Sequence, residues 1–201
     1  MIRILIAEDQ SLIRAAIGQL LEAQGEFQVV AEVGRGDQVL AAALETRPDV
    51  ALLDIEMPGE DGIKCAAQLR DHLPDCRILI LTVFGRPGYL QRALENGALG
   101  FILKDSSPQQ LARAVRQTAA GERVVDPKLA VLAIAEGASP LTVRERDVLS
   151  LSLTGVGVGD IARKLNLGEG TVRNYLSTAI QKLNARNRTE AAMVASEKGW
   201  L

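Results

Sequence analysis

Three carboxylates, a hydroxyl and an ammonium stand directly at the ends of short apolar runs in this chain of 201 residues. Glu8 and Asp9 follow IRILIA, Asp54 closes VALLD, Thr82 closes RILILT and Lys104 follows GFIL. Brought side by side, they would share one small pocket. Carboxylates a few ångströms apart repel one another and cannot all stay ionised without a cation. An all-oxygen donor set points to Mg²⁺, which keeps several waters and takes one or two carboxylates together with phosphate oxygens. Taken singly, each residue has a plainer role: a cap for the aspartate, a turn for the threonine, a solvated head for the lysine. Their common position at the ends of successive runs is what sets them apart. No G-x-x-x-x-G-K-[ST] and no G-x-G-x-x-G after a strand is present, so a nucleotide cradle is not expected.

Five apolar runs must position these groups: Ile2 to Ala7, Phe27 to Val33, Val50 to Asp54, Arg77 to Thr82 and Gly100 to Leu103. They have strand length and are rich in Ile, Leu and Val. Between them lie stretches of helical spacing. In the first, Leu12, Ala16 and Leu20 with Ile13, Ile17 and Leu21 are expected to form one apolar face behind a Ser11 cap. The last begins SSPQQ, where Ser107 can cap, Pro108 suits the first helical position and Gln110 can close a capping box; Gly121 ends it. Strict alternation of strand and helix predicts an α/β domain, a doubly wound parallel sheet with helices on both faces. Such sheets bind ligands beyond the carboxyl ends of their strands, where the five polar groups stand.

Composition narrows the setting. With 47% hydrophobic and 24% charged residues the chain is ordinary globular protein, neither disordered nor collagen-like. Its apolar runs fall far short of the roughly 20 residues that span a bilayer. Met1 leads straight into IRILIAED without a basic and then apolar leader, so a cytoplasmic protein is expected. Cys65 and Cys76 make no C-x-x-C pair and are expected as reduced structural thiols. The net charge of -2 conceals an asymmetry: residues 1–120 hold 12 basic against 16 acidic side chains, and residues 140–201 hold 9 against 6. An acidic front and a basic tail predict two domains with different partners.

IRILIAED, LLDIEMPGEDG, ILILT and GFILKD together resemble the receiver domain of two-component response regulators over residues 1–120. That resemblance implies a flavodoxin-like five-stranded sheet of order 2-1-3-4-5, with Asp54 as phosphoacceptor for a sensor histidine kinase. It implies that Glu8, Asp9, Asp54 and the backbone carbonyl of Glu56 hold Mg²⁺. Thr82 would bond the phosphoryl oxygen, Lys104 would lend it a point charge, and Phe101 would be a switch aromatic whose ring turns inward when Thr82 moves. Asp105 stands where the family usually has a proline, so the turn after Lys104 must form without it.

Residues 121–139 read as a partly helical linker. Beyond it, LTVRERDVL opens with a capping box from Thr142 to Glu145, and four helical segments follow at about 142–154, 159–166, 169–183 and 188–198. The third is apolar along Val172, Leu176, Ala179, Ile180 and Leu183. Its other face carries Arg173, Asn174, Ser177, Gln181 and Lys182, with no acid after Glu169, as a helix in the DNA major groove requires. LTVRERDVLSL, GDIARKLNL and EGTVRNYLSTAIQKLNARNRTEAA resemble the all-α tetrahelical helix-turn-helix of LuxR-type regulators across residues 140–201. The resemblance implies that Thr171, Arg173, Asn174 and Lys182 face double-stranded DNA, Lys182 on phosphate. Tyr175 replaces a common histidine, and GVGVGD offers only glycine to cap the second helix.

The whole chain is thus similar to NarL/FixJ-type response regulators, and IAEDQ, FGRPGYLQRA, EGTVRNYLS and EKGW are nearest the branch that controls membrane fatty-acid desaturation. The resemblance implies phosphorylation, homodimerisation and regulated transcription, with no enzymatic role beyond slow hydrolysis of its own aspartyl phosphate and no insertion into the membrane. Two rivals follow from the residues: a Mg²⁺-dependent phosphohydrolase on the same sheet, with Glu56 as a poorly placed second acid, and a DNA-binding regulator independent of phosphorylation. His72, the only histidine, reads as a solvated helix end, and Trp200 as packing for the last helix.

Overall fold

The computed structural model describes residues 1–83 and 86–201, apart from the side chains at 87 and 136. Phe84 and Gly85, which open the FGRPGYLQRA stretch, lie outside the described residues. Strand and helix alternate as β1 (Ile2–Ala7), α1 (Ser11–Glu22), β2 (Phe27–Val33), α2 (Val39–Thr46), β3 (Val50–Asp54), α3 (Gly62–His72), β4 (Arg77–Thr82), α4 (Pro87–Glu95), β5 (Gly100–Leu103) and α5 (Pro108–Ala119). All pairings are parallel, in the expected order β2-β1-β3-β4-β5. Asp54 pairs with Leu81 and Thr82 with Leu103, which brings the carboxyl ends of β3, β4 and β5 level.

A sixth strand was not expected. Val124–Val125, β6, adds to β5 in parallel with Val125 opposite Phe101. The N–H of Val124 donates to the carbonyl of Leu99 at 2.9 Å and that of Asp126 to the carbonyl of Phe101 at 3.0 Å. The first part of the presumed linker therefore belongs to the sheet, and α6 (Pro127–Glu136) follows it.

Alternation along the strands builds two cores. Ile4, Ile6, Leu52, Leu79, Leu81 and Ile102 pack with Ile17 and Leu21 of α1 and Leu111 and Val115 of α5. The intervening Leu5, Leu53, Ile80 and Phe101 are equally buried and point to the opposite face. α1 departs from expectation in two ways. Gln10, extended at φ -80°, occupies the N-cap position, so Ser11 is the first helical residue rather than the cap. Only Ile17 and Leu21 of the proposed stripe are buried, whereas Leu12 is 82% exposed and Leu20 is also exposed. Six apolar residues span more of the helix circumference than one sheet face can cover. At α5, Ser107 and Gln110 form the expected capping box, with Oε1 of Gln110 accepting the Ser107 N–H at 2.8 Å.

The chain forms two compact units, the first of residues 1–85 and 90–131 and the second of residues 86–89 and 132–201, so that the later boundary falls within α6. The second unit contains α7 (Val143–Ser152), α8 (Val158–Leu165), α9 (Glu169–Lys182) and α10 (Arg188–Glu197). Its core joins Leu149, Ile161, Val172, Leu176, Ala191 and Trp200. Gly157 and Gly168 stand at the N-caps of α8 and α9 without a side-chain bond. His72 is exposed at the end of α3, its Nδ1 2.9 Å from the carbonyl of Gln68. Burial pushes the thiols of Cys65 and Cys76 up to about 12 and about 11, which leaves both unreactive at neutral pH. Among the described residues no helix is long and apolar enough to cross a membrane.

Candidate functional site

The carboxyl edge of the sheet brings the five expected groups together. Ligand atoms of Glu8, Asp9 and Asp54 lie within 4.8 Å of one another. Lys104 Nζ sits 2.6 Å from Oε2 of Glu8 and 2.9 Å from Oδ2 of Asp54. A cavity of about 170 Å³ opens onto Asp9, Gln10, Asp54, Glu56, Thr82, Val83 and Lys104. Glu8, Asp54 and Thr82 are buried and Asp9 is exposed, so the site has a buried floor and a wet rim. Gln10 was not foreseen; its N–H donates to Oε1 of Glu8 at 3.2 Å and helps orient that carboxylate.

Close backbone packing fixes Asp54. The N–H of Gly62 donates to the carbonyl of Ile55 at 2.9 Å, and a Cβ at position 62 would lie 2.0 Å from the carbonyl oxygen of Asp54. Only glycine lets α3 begin this close to the strand end. The GEDG sequence therefore serves the site, with Asp61 capping α3 by accepting the Lys64 N–H at 2.8 Å. After Lys104 the chain turns without proline, through the N–H of Ser106 donating to the carbonyl of Leu103 at 3.1 Å.

The electrostatics favour a cation. Burial raises the carboxyls of Glu8 and Asp54 above their ordinary values, and the ammonium of Lys104 only partly offsets this. Burial also works against the charge on Lys104, but its bonds to Glu8 and Asp54 prevail and hold its pKa above the ordinary value. One ammonium thus faces two buried carboxylates and a third at the rim. The donor set is all oxygen and carries excess negative charge, which fits Mg²⁺. Glu8, Asp9 and Asp54 could hold such an ion, and Glu56 lines the same cavity.

Phe101 shares a sheet face with Ile80 and Thr82, and it is 0% exposed. The expected inward swing of its ring has no outward starting point in this structure. The ring lies inside while β6 pairs with its backbone.

The tail presents a second candidate surface. Thr171, Arg173 and Asn174 are exposed on α9, as are Ser177 and Gln181. Oε2 of Glu169 accepts from Arg173 at 2.7 Å. Tyr175 is half-buried against the tail core. Lys182 is also exposed on α9, but its Nζ is 2.7 and 3.0 Å from the two carboxylate oxygens of Glu145, which is buried. Sequence reasoning placed Glu145 only in a capping box. Its pairing with a lysine 37 residues away has no signature in local spacing.

An acidic pocket at the carboxyl edge of a parallel α/β sheet, joined to a tetrahelical unit with a polar helix face, defines a two-domain response regulator. The chain belongs to the LuxR-type response regulators: residues 4–116 match the family of response regulator receiver domains, and residues 139–195 match the luxR family of bacterial regulatory proteins. It is 45% identical over 201 residues to the transcriptional regulatory protein YvfU of Bacillus subtilis, covering 100% of both chains. It is 43% identical to the transcriptional regulatory protein DesR of the same organism, covering 100% of this chain and 99% of that one. Among solved structures, the RcsB–DNA complex of a two-component response regulator superposes with a TM-score of 0.66 at 25% identity, covering 98% of each chain. DNA binding and regulation of transcription follow from this membership.

Proposed function

We propose that the chain switches transcription through phosphorylation of Asp54 in its receiver, residues 1–120, and that residues 140–201 carry the response to DNA. The observation that carries this reading is the contact of Asp54 with Lys104 at 2.9 Å inside a pocket of excess negative charge. A histidine kinase supplies the phosphoryl group: its P–N bond breaks as a P–O bond forms to an Asp54 carboxylate oxygen. Such transfer needs positioning and charge neutralisation more than covalent chemistry. Mg²⁺, when bound, neutralises charge on the phosphoryl oxygens. Lys104 supplies a second positive charge from inside the pocket, the Thr82 hydroxyl bonds a phosphoryl oxygen, and the rim at Asp9 admits the water that slowly hydrolyses the product.

Thr171, Arg173 and Asn174 read the major groove from the exposed face of α9. Phosphorylation shifts monomer to homodimer, and pairing two tails raises the effective concentration of the second on a two-half-site operator. Genes of membrane-lipid desaturation are one target class, a reading carried only by the likeness of IAEDQ, FGRPGYLQRA, EGTVRNYLS and EKGW. The protein is expected to work in the cytoplasm, where kinase and DNA meet. Sedimentation with and without a small phosphoryl donor tests the switch. The phosphorylated chain should double in mass and bind DNA more tightly, and Thr82→Ala should keep labelling while losing much of both responses. Tighter DNA binding at unchanged mass would replace dimerisation by release of an inhibited tail.

A further inference from the structure

Most basic side chains of the tail are held by acids. Arg173 pairs with Glu169 at 2.7 Å, Arg186 with Glu190 at 3.0 Å, Arg144 with Asp147 at 3.6 Å, and Arg163 with Asp160. These four pairs join residues three or four apart, and each of their side chains is at least 32% exposed. Pairs of this kind are weak and salt-screened, so their arginines can turn to a phosphate at little cost. The pair of Lys182 and Glu145 is built differently.

Glu145 has a side chain only 5% exposed, and that of Lys182 is 32% exposed. Both carboxylate oxygens take the ammonium, at 2.7 and 3.0 Å, and Oε2 also accepts the N–H of Thr142 at 2.7 Å. The N–H of Glu145 in turn donates to the Thr142 hydroxyl at 3.3 Å. One buried carboxylate thus closes the capping box at the start of α7 and receives the cation from the last turn of α9. Each charge also suits its helix end, an anion at an N-terminus and a cation at a C-terminus. If the ammonium left for a DNA phosphate, a buried carboxylate would be stranded without a counter-charge.

We propose that Lys182 is a positioning residue, its ammonium committed to Glu145, and that it seats the C-terminal turn of α9 on α7 instead of contacting a DNA phosphate. The inference rests on α9 being the helix that enters DNA. A helix of 14 residues is about 21 Å long, so a tilt released at its last turn displaces Thr171 and Arg173 at the other end. The same carboxylate that starts α7 therefore sets how α9 is presented.

The test uses the full chain and its Lys182→Met, Glu145→Gln and doubly substituted variants. Each is assayed for thermal unfolding and for binding to a fluorescent duplex of random sequence over a series of salt concentrations. Met keeps the aliphatic stem, Gln keeps the capping box, and the double variant keeps the net charge. Lys182→Met should lower the unfolding temperature of the tail and weaken binding by the same factor at every salt concentration. The double variant should recover both stability and affinity with the wild-type salt slope. A phosphate contact would instead reduce the slope by about 1 in Lys182→Met and in the double variant alike, which would overturn the proposal. So would equal stability of all four proteins. Should Lys182→Met fail to fold, the salt slope of the double variant decides. Failure of α9 to enter DNA would show separately, as unchanged binding in Arg173→Ala, while the stability comparison would still report on the tie.

Discussion

At Asp54 two requirements oppose each other. The proposed phosphoacceptor must be ionised to act as a nucleophile, yet burial raises its pKa and the charge of Asp9 adds to the effect. A carboxyl whose folded pKa lies above its unfolded value costs stability as pH rises through the carboxylate range, because the folded state binds the proton more tightly. Asp54→Asn removes this cost. In the presence of a chelator its unfolding temperature should match wild type at acidic pH and exceed it at neutral pH, by on the order of 1 kcal/mol in stability. Adding Mg²⁺ should raise the wild type more than the variant. Thermal melts across pH check both, and a difference that shrinks towards neutral pH would contradict the argument. Gly62→Ala tests the backbone around the same residue. A Cβ at 2.0 Å from the Asp54 carbonyl oxygen meets main chain that cannot yield cheaply, so the variant should label slowly and lose about 1–3 kcal/mol. The pocket was legible in the sequence because Glu8, Asp9, Asp54, Thr82 and Lys104 each follow a recognisable apolar run, and parallel topology brings such ends to one edge. Glu145 was legible only as a cap, because its second partner comes from another helix.

Elements repeat the pattern. The alternation of Val, Ile and Leu runs with helical spacing marked five strands, the resemblance to receiver domains implied their order, and the Ser107 and Thr142 capping boxes formed where S/T-x-x-Q/E predicts them. α1 was misjudged because hydrophobicity marks what a helix is able to bury, whereas the width of the sheet decides what it does bury. β6 escaped notice because two valines cannot make a strand pattern; a neighbouring strand edge makes them one. Its pairing ties the linker to Phe101 through the Asp126 N–H, so the segment leading to the DNA-binding unit begins on β5. Val124→Pro deletes the donor to Leu99 and should release β6 at a local cost of about 1–2 kcal/mol. Faster amide exchange at Asp126 and new protease cleavage within residues 121–127 are the expected signs, with α5 still protected. Unchanged protection at Asp126 would show that β6 contributes nothing to holding the linker.

Over the whole molecule, charge is divided by task. The receiver half has an excess of acids, three of them gathered at the sheet-edge pocket, and the tail half has an excess of bases, four of them arginines in weak pairs for which a polyanion could compete. Neither half explains regulation alone: the pocket has no means of reading DNA, and α9 has no group that senses a phosphoryl donor. What joins them in this account is a covalent change at one carboxylate. The most direct measurement is the intact mass of the full chain after incubation with a small phosphoryl donor and Mg²⁺, beside Asp54→Asn treated in the same way. Wild type should gain a single phosphoryl group, fail to gain it when a chelator precedes the donor, and Asp54→Asn should gain none. A phosphoryl group that persists on Asp54→Asn, or a wild type that takes up none, would contradict the account.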